Sequence, residues 1–488
     1  MSEKQTLSLA DLALQENRPA PDGSRATVCV QGLGFVGTAM AVAVANARDD
    51  SGCLLFNVLG VDLPDAAGRS KARAINEGRL PVVTTDDELK AAFDCSWAAG
   101  NLIATTTEEA YRLADATIVD VHLDVEYSSG RPSFRLDGFR YAIRTLGMRM
   151  QPGSLVIIET TVPPGTCNRV AAPELARALA ERGLPEDAIQ LAHSYERVMP
   201  GKEYYRSIVN FWRVYAGHTP EAAEACGKFL SQVINVKQYP LTRLHSTVAS
   251  ETAKVMENSY RAVNIAFIEE WAQFAEAAGF DLFEVVEAIR MRPTHSNIRE
   301  PGFGVGGYCL TKDPLFAAAS ARELFRRGDL SFPFSEQAVT VNARMPLRTL
   351  SRVRDLLGGT LGGRKLLLLG VSYRNDVGDT RHSPSEIFVR AAESEGAEVA
   401  AHDPLLSFWP EMGRRLLCAL PRPAGFDAVI FAVRHREYTS LDIESWLDGA
   451  RPLLFDANRV LGSPQRTAAR RVGCRLATIG AGDECLGH

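Results

Sequence analysis

The chain has no CxxC pair and no histidine–cysteine cluster at zinc-binding spacing, although nine cysteines are scattered at positions 29, 53, 95, 167, 226, 309, 418, 474 and 485. That scatter argues against a structural metal, and none is expected. The odd count, with no secretory leader, points to a reducing cytoplasm rather than a disulfide framework. No apolar run approaches the ~20 residues needed to cross a bilayer, so no membrane span is expected. Nor is there an excess of positive charge: 54 Lys and Arg against 59 Asp and Glu leave a net charge of -5. The electrostatic footprint of a nucleic-acid or membrane-surface binder is therefore missing.

What is present is the composition of a globular protein of several domains. With 46% hydrophobic residues it can bury large cores. Its length is too great for one core, and roughly three domains are expected. Residues 1–24 read as a poorly ordered extension and 25–243 as a Rossmann domain. Residues 244–345 read as a helical segment carrying one long helix, and 346–488 as a second Rossmann-like domain. The expected fold class is α/β, with two doubly wound domains joined by that helix.

Ala26 to Val30 is a run of β-formers that delivers into Gln31-Gly32-Leu33-Gly34-Phe35-Val36-Gly37, and an alanine- and valine-rich helical run follows. Strand, GxGxxG and helix in this order have a mechanism. Gly32 makes the tight turn, Gly34 lets a pyrophosphate approach the backbone, and Gly37 packs helix on strand. The helix N-terminus adds N–H groups and a positive dipole end. A second strand, Asn57 to Val61, ends in Asp62, where an acid meets the adenosine ribose and repels a 2'-phosphate. NAD is the expected cofactor.

Later strands end at Val121-His122-Leu123-Asp124, at Glu159-Thr160-Thr161 and just before Ser194-Tyr195-Glu196-Arg197. Loops at strand C-termini line the ligand crevice of an open parallel sheet. Glu196 and Arg197 read equally as a solvent-facing ion pair or as ligand-binding groups. Strong helix formers then fill Ser250 to Ala278, with Glu251, Lys254, Asn258 and Arg261 on one face. The helix is apolar round much of its girth, so this polar stripe is expected to serve a site. Behind a second helix lies Gly302 to Pro314, GFGVGGYCLTKDP. Cys309 there is either a small buried hydrophobe or a thiol nucleophile that a substrate reaches closely. In the last α/β part the first turn, Gly370-Val371-Ser372-Tyr373-Arg374, lacks the GxGxxG spacing. Arg374, Arg381 and Arg459 at its strand ends suit the phosphates or hydroxyls of a different ligand.

Taken together, GLGFVG with Asp62, INEGRLP, ETTVPPGT, YERVMPG, ETAKVMENSYRAVNIAF, GFGVGGYCLTKD and GDTRHSPS resemble the nucleotide-sugar 6-dehydrogenases. This is the family of UDP-glucose dehydrogenase and the UDP-N-acetylhexosamine dehydrogenases, and the resemblance covers nearly all of the chain after the N-terminal tail. It implies two successive NAD-dependent oxidations at sugar C6, through a thiohemiacetal and a thioester on Cys309. It implies that Lys254 and Asn258 donate to the oxyanion, and that Asp313 and Glu196 position or activate water. It implies that Thr161 belongs to the catalytic set, and that Thr161, Phe35 and Val36 join the cofactor site with Gly32, Gly34, Gly37 and Asp62. Arg197, Gly304, Gly306, Arg381, Arg459 and Arg292 join Glu196, Lys254 and Asn258 on the nucleoside diphosphate sugar.

There are departures from the family pattern. His122-Leu123-Asp124 stands in place of its Thr-Pro, and Tyr308 in place of a His or Ser before the nucleophile. YERVMPG resembles the N-acetylhexosamine branch, and Cys309-Leu310-Thr311-Lys312-Asp313 the glucose branch. The expected substrate is UDP- or TDP-glucose, with an N-acetylhexosamine as the alternative. One methyl between the two bases is worth only about 1–3 kcal/mol to a pocket. A 6-phosphogluconate-type dehydrogenase, which needs no cysteine, and a non-catalytic nucleotide-sugar-binding module are the rivals. The apolar long helix implies a homodimer, with Arg292 or His295 serving a neighbouring subunit.

Overall fold

The computed structural model describes residues 7–128, 131–198 and 201–482. The chain divides into two compact units, Met1–Met256 with Phe316–Ser331, and Glu257–Leu315 with Phe332–His488. The helical segment expected at 244–345 is shared between them.

In the first unit, β1 (Ala26–Gln31), β2 (Phe56–Val61), β3 (Leu102–Thr105) and β4 (Ala116–Val119) precede a separate hairpin, β5 (Val125–Ser128) and β6 (Arg131–Phe134). They are followed by β7 (Leu155–Ile158), β8 (Gln190–His193), β9 (Val214–Gly217) and β10 (Thr242–Arg243). The sheet order is β10-β9-β8-β7-β4-β1-β2-β3, with β8 and β9 antiparallel. Both faces are covered, so the strands are continuous apolar runs rather than alternating ones. Val28, Val30, Val58 and Ile118 pack into one core, and Cys29, Leu59, Val61 and Val119 into the other. The chain reverses direction across the sheet between β1 and β4, the switch point where a doubly wound sheet opens a crevice.

The second unit repeats the plan on a smaller scale. β11 (Lys365–Leu369), β12 (Glu398–His402), the short pair β13 (Phe408–Trp409) and β14 (Arg414–Arg415), β15 (Ala428–Phe431), β16 (Leu453–Asp456) and β17 (Leu476–Thr478) follow in order. Its parallel sheet runs β12-β11-β15-β16-β17, with a switch point between β11 and β15. The long helix spans Thr247–Ala278, and Gly279 behind it takes the left-handed φ of 80° of a C-cap. Tyr260, Phe267, Trp271 and Phe274 are exposed along it, the last three in edge-to-face succession. No helix among the described residues is long and apolar enough to cross a membrane.

The expectation of a loose N-terminal extension is overturned from residue 7 onward; residues 1–6 lie outside the described residues. A helix, Leu9–Gln15, is capped by Ser8 and buries Leu12 and Ala13 in the core beneath β1 and β2. Glu16 accepts from Thr105 Oγ1 at 2.6 Å, and the Arg18 guanidinium lies 4.7 Å over the Trp97 ring. An apolar cluster ahead of a proline-rich stretch was therefore an amphipathic docking helix, whose partners are remote in sequence. Leu12→Ala is expected to cost about 2–5 kcal/mol in denaturant unfolding, and a loose tail would show no loss.

Candidate active site

The turn after β1 has the shape a dinucleotide requires. Gly32 has φ 98°, and a Cβ there would stand 2.5 Å from the Asp120 carbonyl oxygen. One on Gly37 would stand 1.8 Å from the Gly32 oxygen, so neither can be replaced. Gly34, by contrast, is exposed, with nothing among the described residues within 4 Å of its Cβ position. That open space leaves room for a pyrophosphate to approach the backbone. Asp62 Oδ2 accepts from Leu33 N and from Lys71 Nζ, both at 2.9 Å, so the acid also ties down the turn. Phe35 stacks on Tyr204, whose hydroxyl donates to the Phe35 carbonyl, and Val36 is half-buried beside it. Thr161 is half-buried in the loop after β7. These residues fit the dinucleotide and, by Asp62, an unphosphorylated ribose.

The first turns of the long helix carry the polar stripe. Glu251 is fully buried and accepts from Gly165 N at 2.6 Å and Cys167 N at 2.7 Å, which anchors the loop after β7. Lys254 Nζ donates to the Glu196 carbonyl at 2.6 Å and lies 3.4 Å from its carboxylate. Glu196 and Arg197 are thus not a solvent-facing pair. Glu196 is buried on Lys254, and Arg197 donates to the Trp212 carbonyl and the Tyr195 hydroxyl. His193 binds Ser250 Oγ at 2.8 Å, and burial with the Lys254 charge pushes it down to about 3. It is neutral at physiological pH. Met199-Pro200 of the YERVMPG segment lies outside the described residues.

In the second unit Asn258 Nδ2 donates to Asp313 Oδ2 at 2.8 Å, and Lys312 Nζ lies 2.9 Å from Asp313 Oδ1. Asp313 is 1% exposed, so this carboxylate is buried between an amide and an ammonium. Cys309 is exposed in the first turn of the short helix Tyr308–Lys312 that leads to it. The preceding glycines are required by packing. A Cβ on Gly306 would meet Tyr373 at 2.6 Å and the His382 carbonyl at 2.7 Å, and one on Gly307 the Tyr373 ring at 2.8 Å. One on Gly304 would stand 2.8 Å from Pro384. Tyr308 is held between the Arg381 guanidinium, 4.6 Å from its ring, and His382, 4.8 Å away. Arg381 is itself clamped bidentately by Asp379.

A cavity of about 130 Å³ opens at the β11/β15 switch point, lined by Phe303, Gly304, Tyr373, Arg374, Arg434 and Asn458 among others. Of the three arginines expected on a phosphate, Arg374 lines it, whereas Arg459 lies 4.2 Å over the Phe283 ring and 3.9 Å from Asp281. Arg292 is exposed. The roles of Tyr373, Asp379 and His382 escaped sequence reasoning; only the GDTRHSPS segment hinted at two of them.

Comparison with known proteins agrees with this layout. Residues 26–234 match the NAD binding domain, 248–344 the central domain and 367–463 the UDP binding domain of the UDP-glucose/GDP-mannose dehydrogenase family. A UDP-N-acetyl-D-mannosamine dehydrogenase of Methanocaldococcus jannaschii is 29% identical over 465 residues, 93% of this chain and 96% of its own. Among solved structures, the UDP-D-ManNAc dehydrogenase of Pyrococcus horikoshii is 28% identical with a TM-score of 0.77, over 94% of this chain and 100% of that one. A UDP-glucose dehydrogenase of Pyrobaculum islandicum is 25% identical with a TM-score of 0.75, over 94% and 98%.

Burial pushes Glu251 up from 4.5 to about 7, against the two backbone N–H groups that favour its charge. A raised folded-state pKa contributes stability that is full below the unfolded value and is lost as pH rises through about 7. Glu251→Gln cannot ionise, so its unfolding free energy should lose that decline. Below the ordinary carboxyl pKa it should also fall by about 1–3 kcal/mol, because an amide has one acceptor for two N–H groups, and that deficit should shrink as pH rises through about 7. Denaturant unfolding across pH checks both; a slope parallel to the unsubstituted protein would contradict the assignment.

Proposed function

The chain belongs to the UDP-glucose/GDP-mannose dehydrogenase family and is an NAD-dependent nucleotide-sugar dehydrogenase; within that family we propose that it oxidises a UDP-N-acetylhexosamine at C6 to the uronic acid. The observation that carries the chemistry is the buried Asn258–Asp313 hydrogen bond in the unit that bears Cys309. A fixed amide is the preorganised donor that a developing oxyanion needs.

Gly32, Gly34, Gly37 and Asp62 would hold NAD, which would supply the acceptor for the first hydride while the C6 hydroxyl proton leaves to solvent, and a second NAD molecule would supply the acceptor for the second hydride. Between them the Cys309 sulfur adds to the C6 aldehyde: the C–S bond forms and the carbonyl pair becomes an oxyanion. Lys254 and Asn258 donate to that oxyanion, and loss of one such donor typically costs about 10²–10³ in rate. After the second hydride leaves, the acyl group stays on sulfur as a thioester. Water adds, the C–S bond breaks, and the thiolate and the acid separate with release of a proton. Asp313 holds Asn258 and Glu196 holds Lys254, so both acids serve as positioning residues for the two donors. Arg197, Gly304, Gly306 and Arg381 serve the nucleotide sugar.

Glucose, the sugar expected from Lys312-Asp313, is less well supported than the alternative. The Lys312 ammonium lies on the Asp313 carboxylate, and curated relatives matching most of the chain are named for N-acetylated sugars. The protein acts as a homodimer on the Tyr260, Phe267, Trp271 and Phe274 stripe, too apolar a face to be left in water. Arg292 then serves the neighbouring subunit's site.

NADH absorbance with a panel of UDP- and TDP-sugars tests the substrate. UDP-N-acetylhexosamines should give the highest kcat/KM, and a preference for UDP- or TDP-glucose would overturn the reading. Light scattering behind size exclusion should give twice the mass of the 488-residue chain; a monomer would remove the dimer.

A further inference from the structure

Two acids lie side by side beneath the cofactor turn. β4 and β7 are parallel and in register to Val119 and Ile158, so the next residues, Asp120 and Glu159, leave neighbouring strand ends together. Asp120 also bounds the turn itself: its carbonyl abuts Gly32, and its Cβ stands 3.4 Å from where a Cβ on Gly37 would be. Glu159 is 2% exposed and pairs through Oε1 with Arg213 at 2.5 Å. Arg213, equally buried, also reaches the Ser194 carbonyl and Met40 Sδ. The remaining oxygens, Asp120 Oδ2 and Glu159 Oε2, are buried and receive no hydrogen bond from the donors among the described residues. Yet the two carboxyl groups are within hydrogen-bonding reach of each other.

The other groups that face the pair do not relieve it. Glu196 adds negative charge and is itself held by Lys254, while the Cys226 thiol beside Arg213 is pushed up to about 12 by burial and stays neutral. Two adjacent buried carboxylates served by one guanidinium leave an uncompensated charge and two oxygens without a donor. A single proton cures both faults. We propose that Asp120 and Glu159 share one proton, carried on Asp120 Oδ2 and donated to Glu159 Oε2, and that this proton keeps the floor of the dinucleotide turn neutral. Burial and the Glu159 charge, in that order, hold Asp120 well above the ordinary carboxyl range, in the same sense. Asp120 is thus a positioning residue for the cofactor, and its ionisation sets negative charge against an anionic pyrophosphate.

The sign follows from linkage. Asp120 binds its proton more tightly folded than unfolded, so the stability it contributes is full below the ordinary carboxyl pKa and is lost as pH rises through its raised folded value. Asp120→Asn keeps the shape and the donor but cannot ionise. The test is made on the full chain. In infrared spectra of the protein without cofactor, the carbonyl stretch of a protonated carboxyl should be present at neutral pH and weaker in D120N. In titrations followed by NADH fluorescence, the unsubstituted protein's Kd should rise by roughly three- to tenfold at alkaline pH, the size of one partly screened nearby charge. D120N should keep its neutral-pH Kd throughout and unfold at a higher temperature than the unsubstituted protein under alkaline conditions. An unchanged infrared band, parallel pH profiles for the two proteins, or a D120N that fails to fold at neutral pH would each overturn the proposal.

Discussion

A polar stripe buried along one face of a long helix must find a partner for every group, and that constraint organises this protein. Glu251, Lys254 and Asn258 occupy successive turns of Thr247–Ala278, at 0%, 6% and 3% exposure. An unpartnered amide or charge at such depth costs several kcal/mol, more than one helical turn contributes. Each is therefore met: Glu251 by two backbone N–H groups of the loop after β7, Lys254 by Glu196, and Asn258 by Asp313. The same contacts that make the helix buriable also fix the donors in direction, which is what stabilising a transient oxyanion requires.

The glycines impose a second constraint of the same kind. Gly32 and Gly37 exist because backbone must pass backbone at distances that leave no room for Cβ, and only Gly34 faces open space. In GFGVGGYCLTKDP the glycines are spaces for Tyr373, Pro384 and the His382 carbonyl, so the turn that presents Cys309 is rigidly seated. Tyr308, beside Cys309, is clasped by Arg381 and His382 rather than left loose.

Local chemistry was legible in the sequence. The β1 turn with Asp62, most of the strands and the helical stripe all declare themselves through period, propensity and turn residues. What stayed hidden depends on neighbours distant along the chain. Leu12 needs a core assembled over a hundred residues later, and the Asp120–Glu159 pair appears only once two strand ends lie in register. Asp313 was legible as an acid near the cysteine, but its burial on Asn258, 55 residues upstream, was not. The sugar is the least legible feature, because Lys312 resembles a substrate group in sequence and is a partner of Asp313 in space.

The covalent role proposed for Cys309 would link the two oxidations, and it is tested most directly by counting NADH formed per molecule of uronic acid, with Cys309→Ala alongside. Two NADH per acid for the unsubstituted protein, and no acid from the variant, is the expected result. Acid formed at undiminished yield by Cys309→Ala, or one NADH per product with the reaction ending at the aldehyde, would contradict it.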